Sequence, residues 1–363
     1  MKKIGLIEAY AGNFDKNNFY NSQIVGLAKA LHKNKFEVEI YKFTKAEKNS
    51  VYLINNSIKY YTIASISIYN TSFISTKSLS RDLDAIVFFS GISINLSKLE
   101  KWCAKNNVIL FPYIGITESN SNKTLIRKIT NIFYKRSIFI YKRHICFAKT
   151  ESVLKELLDK EVKNVELLPV GLDEDLLNKE FNNYDKNEIK KKYGFIVSDE
   201  ILLFIGRLEK EKNPINIVEI FRILNSQNNK YKLIIIGKGN EKNQLLTKLK
   251  EYKLLDKTLY IDEIENSKIW ELYYISNWFI NLSTTEIFGM CILEALFYNC
   301  HVIAMNAPGP RMIIENGFGD IVNNNNEIID IIENNEILQK TPNQLINEKY
   351  VWNKTIKNLL KYL

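Results

Sequence analysis

The fold is decided by Ser283-Thr284-Thr285-Glu286-Ile287-Phe288-Gly289-Met290-Cys291-Ile292-Leu293-Glu294-Ala295-Leu296. The apolar run before it, Trp278-Phe279-Ile280-Asn281-Leu282, reads as a strand, and the apolar stretch after Gly289 reads as a helix that the glycine opens. A helix that starts there leaves unpaired backbone N–H groups and the positive end of its dipole facing the turn. Such an end suits an anion. Glu286 falls in the turn and Glu294 in the second helical turn, eight positions on. At roughly 100° per residue the two are about 80° apart, so both carboxylates can accept hydroxyls from one ligand. The plainer alternative makes Glu294 an ordinary exposed helical residue and Glu286 an acid favoured by the dipole. Paired acids also serve glycoside hydrolysis, but there they flank a scissile bond, which two acids on one helix do poorly.

The same strand-then-helix theme runs outward on both sides. Ile201–Ile205, Leu233–Ile236, Thr258–Ile261 and Val302–Ala304 read as further buried strands, with helical patterns over Ile215–Asn225, Glu241–Tyr252, Ile269–Ser276 and Met290–Tyr298. The first half repeats it with strands at Ile4–Ile7, Val38–Tyr41, Asp84–Phe89 and Val108–Phe111 and helices at Ser22–Leu31 and Ser97–Lys105. Alternation of this kind predicts α/β architecture, two Rossmann-like doubly wound domains with a cleft between them. The polar stretch Asn178–Glu188 is the expected boundary, giving domains over 1–177 and 189–345. An apolar stripe through Trp352, Ile356, Leu359, Leu360 and Leu363 predicts a terminal helix over Tyr350–Leu363, within a segment 346–363.

The chain of 363 residues is long enough for two cores, and no apolar run approaches the ~20 residues of a membrane span. Cys103, Cys146, Cys291 and Cys300 are far apart and the three histidines are scattered, which argues against structural zinc and for a reducing compartment. Met1-Lys2-Lys3 runs straight into a strand and does not read as a signal peptide. The triplet Asp173-Glu174-Asp175 reads as a solvated acidic loop; neither a metal nor another cofactor is expected.

The excess of positive charge is concentrated. Between Ser121 and His144 stand Lys123, Arg127, Lys128, Lys135, Arg136, Lys142 and Arg143 without an acid, interleaved with long apolar side chains. An interfacial helix on an anionic lipid surface fits best, since cations snorkel while the apolar residues dip in. Nucleic acid is not expected, because no recognised binding module accompanies the basic run. A solvated helix packed by its apolar side is the bland reading.

Ile205-Gly206-Arg207-Leu208, with Lys212 following, ends a strand ahead of a helix, so a sharp turn places two cations at a strand tip where a diphosphate could be neutralised. Together with Leu167-Leu168-Pro169-Val170-Gly171-Leu172-Asp173, Ile235-Ile236-Gly237-Lys238-Gly239 and Glu286 through Leu296, these residues occur in the order and spacing of the family-4 glycosyltransferases, which the second half resembles. Members are retaining enzymes of GT-B fold. The resemblance implies transfer of a hexosyl group from a nucleoside-diphosphate sugar to an acceptor hydroxyl, on a lipid-linked or surface saccharide at the inner face of a bacterial plasma membrane. It implies that Arg207 and Lys212 hold the diphosphate. Glu286 and the N–H groups of Ile287, Phe288, Gly289 and Met290 would meet the sugar and phosphate, and Glu294 the ribose. Gly206 shapes the donor loop. Gly12 and Asn13 after the first strand would line the acceptor side, and the terminal helix of segment 346–363 would return to brace the first domain.

Many members place a histidine after a middle strand of the first domain; Tyr113-Ile114-Gly115-Ile116-Thr117-Glu118 stands there instead, with Thr117 and Glu118 as candidates for the polar role. Two other classes fit the same residues: a nucleotide-sugar epimerase of GT-B fold, and a non-catalytic subunit that binds a sugar nucleotide beside a partner enzyme.

Overall fold

The computed structural model describes residues 1–9, 22–68, 71–90, 96–119, 124–314, 318–334 and 342–363. Of the expected site residues, Gly12, Asn13 and Lys123 lie outside them. The chain divides into two compact units at Asp173/Glu174 and again at Val351/Trp352, so that Trp352–Leu363 belongs with the first.

The first unit carries strands β1 (Lys3–Glu8), β2 (Glu37–Thr44), β3 (Ser50–Ile54), β4 (Ile58–Ala64), a two-residue pair β5 (Ser67–Ile68) and β6 (Thr71–Ser72), then β7 (Ala85–Ser90), β8 (Ile109–Ile114), β9 (Cys146–Ala148) and β10 (Val165–Leu167). Its helices are α1 (Gln23–Lys33), α2 (Leu96–Asn106), α3 (Thr124–Tyr141) and α4 (Glu151–Asp159). The main sheet runs β10-β9-β8-β7-β1-β2-β4-β3 and is parallel except for β3 against β4. That hairpin was not expected from the sequence. Its turn is made by Asn55 and Asn56 at φ 49° and 57°, the left-handed pair that tight hairpins require and asparagine tolerates.

One face of the sheet buries Ile7, Phe43, Ile86, Phe88 and Leu110 against Leu99 of α2, Ile138 of α3 and Leu157 of α4. Trp352 packs on α1, Trp352 N–H donates to Leu172 O at 3.2 Å, and Asn358 Nδ2 donates to Leu167 O at 2.8 Å. The terminal segment is not one helix. It forms two short pieces, Trp352–Thr355 and Lys357–Leu360, shaped by these contacts more than by helical periodicity.

The second unit has β11 (Glu200–Ile205), β12 (Tyr231–Ile236), β13 (Thr258–Ile261), β14 (Trp278–Asn281), β15 (His301–Met305) and β16 (Gly319–Val322). Its helices are α5 (Lys186–Lys192), α6 (Pro214–Gln227), α7 (Lys242–Glu251), α8 (Asn266–Ile275), α9 (Met290–Phe297), α10 (Pro308–Ile313), α11 (Asn325–Glu333) and α12 (Asn343–Lys349). All six strands are parallel, in the order β13-β12-β11-β14-β15-β16. This is the 3-2-1-4-5-6 order of doubly wound sheets, whose ligand crevice opens at the strand tips where the winding reverses, here between β11 and β14.

The polar stretch 178–188 lies inside this unit. Asn178 N–H donates to Tyr298 Oη at 3.1 Å, and buried Phe181 packs edge-on against Tyr274 and Tyr298. The boundary expected there falls earlier in the chain because a single buried phenylalanine anchors a segment whose composition reads as loop. At the other end α12 stays with the second unit: Asn343 Nδ2 donates to Phe297 O at 2.5 Å and Tyr350 Oη to Met312 O at 2.9 Å.

Candidate functional site

The two loops singled out in the sequence leave adjacent strands of the second unit. Gly206 follows β11 and Ser283 follows β14, and these strands pair directly across the switch point. The β11 loop is pressed against the β12 loop: Gly206 N–H donates to Ile236 O at 3.0 Å and Leu208 N–H to Lys238 O at 2.8 Å. Gly237 holds φ +150°, and a Cβ there would lie 1.9 Å from Gly206 O, so only glycine permits this approach. After Arg207 a single 3-10 turn, Lys210–Lys212, leads to left-handed Asn213, whose Nδ2 reaches Leu282 O at 3.0 Å and ties this loop to the end of β14.

That tie brings Lys212 to Glu286. Its ammonium donates to Glu286 Oε2 at 2.5 Å, with side chains 24% and 15% exposed. Gly289, at φ +93°, sits as N-cap of α9, where a Cβ would meet Ile292 Cδ1 at 2.8 Å. No side chain caps α9 and its first turn holds no acid. The positive helix end therefore faces the Glu286 turn without a carboxylate of its own. Ile287 is half-buried beside it and Phe288 is buried, anchoring the turn. Arg207 is 65% exposed at its side chain and pairs with Glu211 one turn on. An exposed i,i+4 pair is worth only a few tenths of a kcal/mol, so the guanidinium is free to leave it for a stronger anion.

Glu294, in the second turn of α9, accepts from Tyr273 Oη at 2.7 Å and lines a small depression with Leu176, Leu177, Asn266, Ile269 and Tyr298. Cys291 stands between the two acids in sequence. Burial pushes its thiol up to about 12, the charges of Glu294 and Glu286 add to this, and Lys212 opposes them. Both carboxylates thus act on one residue. The thiol stays protonated and is no nucleophile.

In the first unit the expected polar replacements turn elsewhere. Thr117, 2% exposed, donates to Glu156 of α4, and Glu118 pairs with Lys160 at 3.3 Å just beyond the same helix. The histidines are each tied locally: His32 to Phe36 O, His144 to Glu100, His301 to Asp320. Asp173 of the acidic triplet is buried against Lys29 at 2.6 Å.

The sequence reading missed Lys149. It follows β9, its ammonium donates to Gln23 Oε1 at 2.9 Å, and it lies 4.9 Å from the ring centre of Tyr113 and 5.3 Å from that of Phe89. The available signal was a lysine ending the short apolar run Cys146-Phe147-Ala148, immediately before Thr150, which caps α4.

The basic run resolves into two parts. On α3, Lys128, Lys135 and Arg136 are exposed beside a stripe of exposed Leu125, Ile129, Ile132 and Phe139, while Arg127, also exposed, stands about 160° round the helix from Leu125. The opposite side, Tyr134, Ser137, Ile138 and Tyr141, is buried. Lys142 and Arg143 lie past the helix end and do not join that face. Lys142 pairs with Glu161 at 2.7 Å, and Arg143 forks onto Glu100 at 2.8–3.0 Å. Among the described residues no helix is long and apolar enough to cross a membrane.

Residues 185–352 match the family profile described as Glycosyl transferases group 1. Alpha-monoglucosyldiacylglycerol synthase of Acholeplasma laidlawii is 27% identical over 229 residues, 60% of this chain and 55% of that protein. The amylovoran biosynthesis glycosyltransferase AmsD of Erwinia amylovora is 30% identical over 145 residues, 40% of this chain and 38% of its own length. The chain thus spans about half or less of the curated relatives it matches. Among solved structures, sucrose-phosphate synthase from Thermosynechococcus elongatus superposes with TM-score 0.75 at 16% identity, covering 100% of this chain and 98% of that one. Anabaena HepE in complex with UDP and glucose superposes with TM-score 0.69 at 14% identity, covering 100% of both. At these identities the likeness establishes the fold, which is GT-B.

Proposed function

We propose that the protein is a member of the family whose profile residues 185–352 match, glycosyl transferases group 1, and that it transfers a hexosyl group from a nucleoside-diphosphate sugar to an acceptor hydroxyl, with retention at the anomeric carbon, on a lipid-linked or surface saccharide. The observation that carries this reading is the Lys212–Glu286 pair at 2.5 Å beside the uncapped, acid-free start of α9. A diphosphate placed there meets an ammonium, the positive helix end and, once Arg207 leaves Glu211, a guanidinium. As the donor bond breaks, charge builds on the leaving diphosphate, and groups already aimed at it lower the barrier without reorganising. Glu286 orients Lys212 and accepts a sugar hydroxyl; Glu294, held by Tyr273, accepts from the ribose.

The surface of α3 supports a setting at an anionic membrane on the cytoplasmic side. Three exposed cations, Lys128, Lys135 and Arg136, flank four exposed apolar side chains on one helix, and each cation near such a surface adds about 1 kcal/mol.

The test is thermal unfolding of the whole chain against a panel of nucleotides and nucleotide sugars. A specific binder at 100 times its dissociation constant stabilises by about 2.7 kcal/mol. Arg207→Ala is expected to remove most of that gain, and an undiminished gain in this variant would overturn the diphosphate assignment.

A further inference from the structure

We propose that Lys149 is the residue with which the first unit grips a small oxyanion of the acceptor, a phosphate or a carboxylate. The inference rests on the transfer reading above and names the class of acceptor.

Lys149 occupies the position where a parallel sheet gathers ligands. It stands past the carboxyl end of β9, its N–H still bonded to Ile114 O at the tip of β8. Below it the strand register aligns Lys42, Glu8, Phe89, Tyr113 and Phe147 in one row, and residues so paired in parallel strands project to one face. Two of those side chains, Phe89 and Tyr113, present their rings to the ammonium, and Gln23 from the first turn of α1 accepts one of its protons.

What the ammonium lacks is a counter-ion. Among the described residues no carboxylate lies within ion-pair distance of it. Glu8, the acid whose field reaches it, is bonded to Lys42. Ring faces and one amide compensate a desolvated ammonium only in part. Burial accordingly brings its pKa down to about 8, with Glu8 opposing. Two N–H donors remain beyond the one given to Gln23, and the residue is half-buried, so a small oxyanion can reach them. Among the described residues the row beneath holds one carboxylate, Glu8, which is bonded to the ammonium of Lys42. Tyr113 Oη has no partner among the described residues and adds no charge.

A lysine kept only for packing needs neither access to solvent nor an unbalanced charge. One kept for an anion needs both.

The full chain is trace-labelled at pH 7.5 with a neutral amine-acylating reagent, and Lys149 is followed by peptide mass mapping. With its pKa at about 8 roughly a quarter of it is uncharged, so it reacts ahead of ordinary lysines. A bound oxyanion that raises the pKa by about one cuts that fraction about eightfold. Glycerol 3-phosphate, succinate and uncharged glycerol are the probes. Slowing by glycerol 3-phosphate or succinate, but not glycerol, is expected, and whichever slows it names phosphate or carboxylate. Equal labelling with all three overturns the inference.

In parallel, the UDP-loaded Lys149→Gln variant is expected to lose the rise in melting temperature that the effective anion gives the wild type, while Lys149→Arg keeps it. A full rise in Lys149→Gln would also overturn it. UDP binding is read separately on the wild type, so loss of the donor reading is told apart from loss of this one.

Discussion

Lys212→Met is the sharpest perturbation of the proposed donor site, because it keeps an unbranched side chain only one atom shorter and deletes the ammonium. Two effects act in the same direction. The variant loses a charge-assisted hydrogen bond to the diphosphate, worth about 1.5–3 kcal/mol. It also uncovers Glu286, 15% exposed and 2.5 Å from the lost ammonium, as a bare carboxylate in front of α9. The first effect alone weakens UDP binding roughly 10- to 150-fold, since about 1.4 kcal/mol is tenfold. Glu286 repulsion adds to it. The variant Lys212→Met/Glu286→Gln removes both charges and is expected to recover part of the loss, which measures the Glu286 contribution as a coupling energy. Calorimetric titration with UDP reads the wild type, Lys212→Met, Glu286→Gln and the double variant. Thermal stability is expected to fall by only about 2–4 °C, because the pair is partly solvated. If Lys212→Met binds UDP within threefold of the wild type, the pair is a surface ornament and the site lies elsewhere.

Gly237→Ala drives a methyl to 1.9 Å from Gly206 O; a loss of at least about 2 kcal/mol and of UDP binding together is expected, by denaturant unfolding and titration. Glu39, 1% exposed, accepts from Tyr41 and Ser80 and pairs with Lys3 at 3.2 Å. Burial would raise its pKa, but these partners outweigh burial and hold it below the usual carboxylate value. A depressed acid stabilises the fold above its unfolded pKa and loses that contribution as pH falls through the native one. Urea unfolding is therefore expected to weaken below about pH 4.5 in the wild type, while Glu39→Gln, already about 3 kcal/mol less stable at pH 7, weakens less over that range. Equal acid sensitivity in the two would refute the role of Glu39. Neutralising Arg127, Lys128, Lys135 and Arg136 is expected to release the protein from anionic vesicles in a sedimentation assay, whereas neutralising Lys142 and Arg143, already ion-paired, is expected to change little. Release by the second pair alone would relocate the contact.

The conformations of the β11 and β14 loops of the second unit were legible because their signals are local. A glycine that must open a helix, a glycine against a neighbouring loop and an acid eight positions from its partner are properties of short stretches, and backbone sterics make them hard to satisfy otherwise. The buried parallel strands were legible for a related reason: covered on both faces, they read as unbroken apolar runs such as Leu233–Ile236.

What the sequence alone determined is therefore the strand–turn–helix grammar, the doubly wound class and the side chains at the β11 and β14 tips. Only the tertiary structure decided where the first division falls, because buried Phe181 holds a segment of polar composition in the second unit through contacts made far along the chain. It alone showed that Thr117 and Glu118 are taken by α4 and Lys160, that Lys142 and Arg143 are neutralised by Glu161 and Glu100, and that Lys149 stands at a strand tip with no carboxylate at ion-pair distance among the described residues. Whether a charge is free is a property of everything within about 4 Å of it, and residues at that distance are set by packing across the sheet, not by neighbours in the chain.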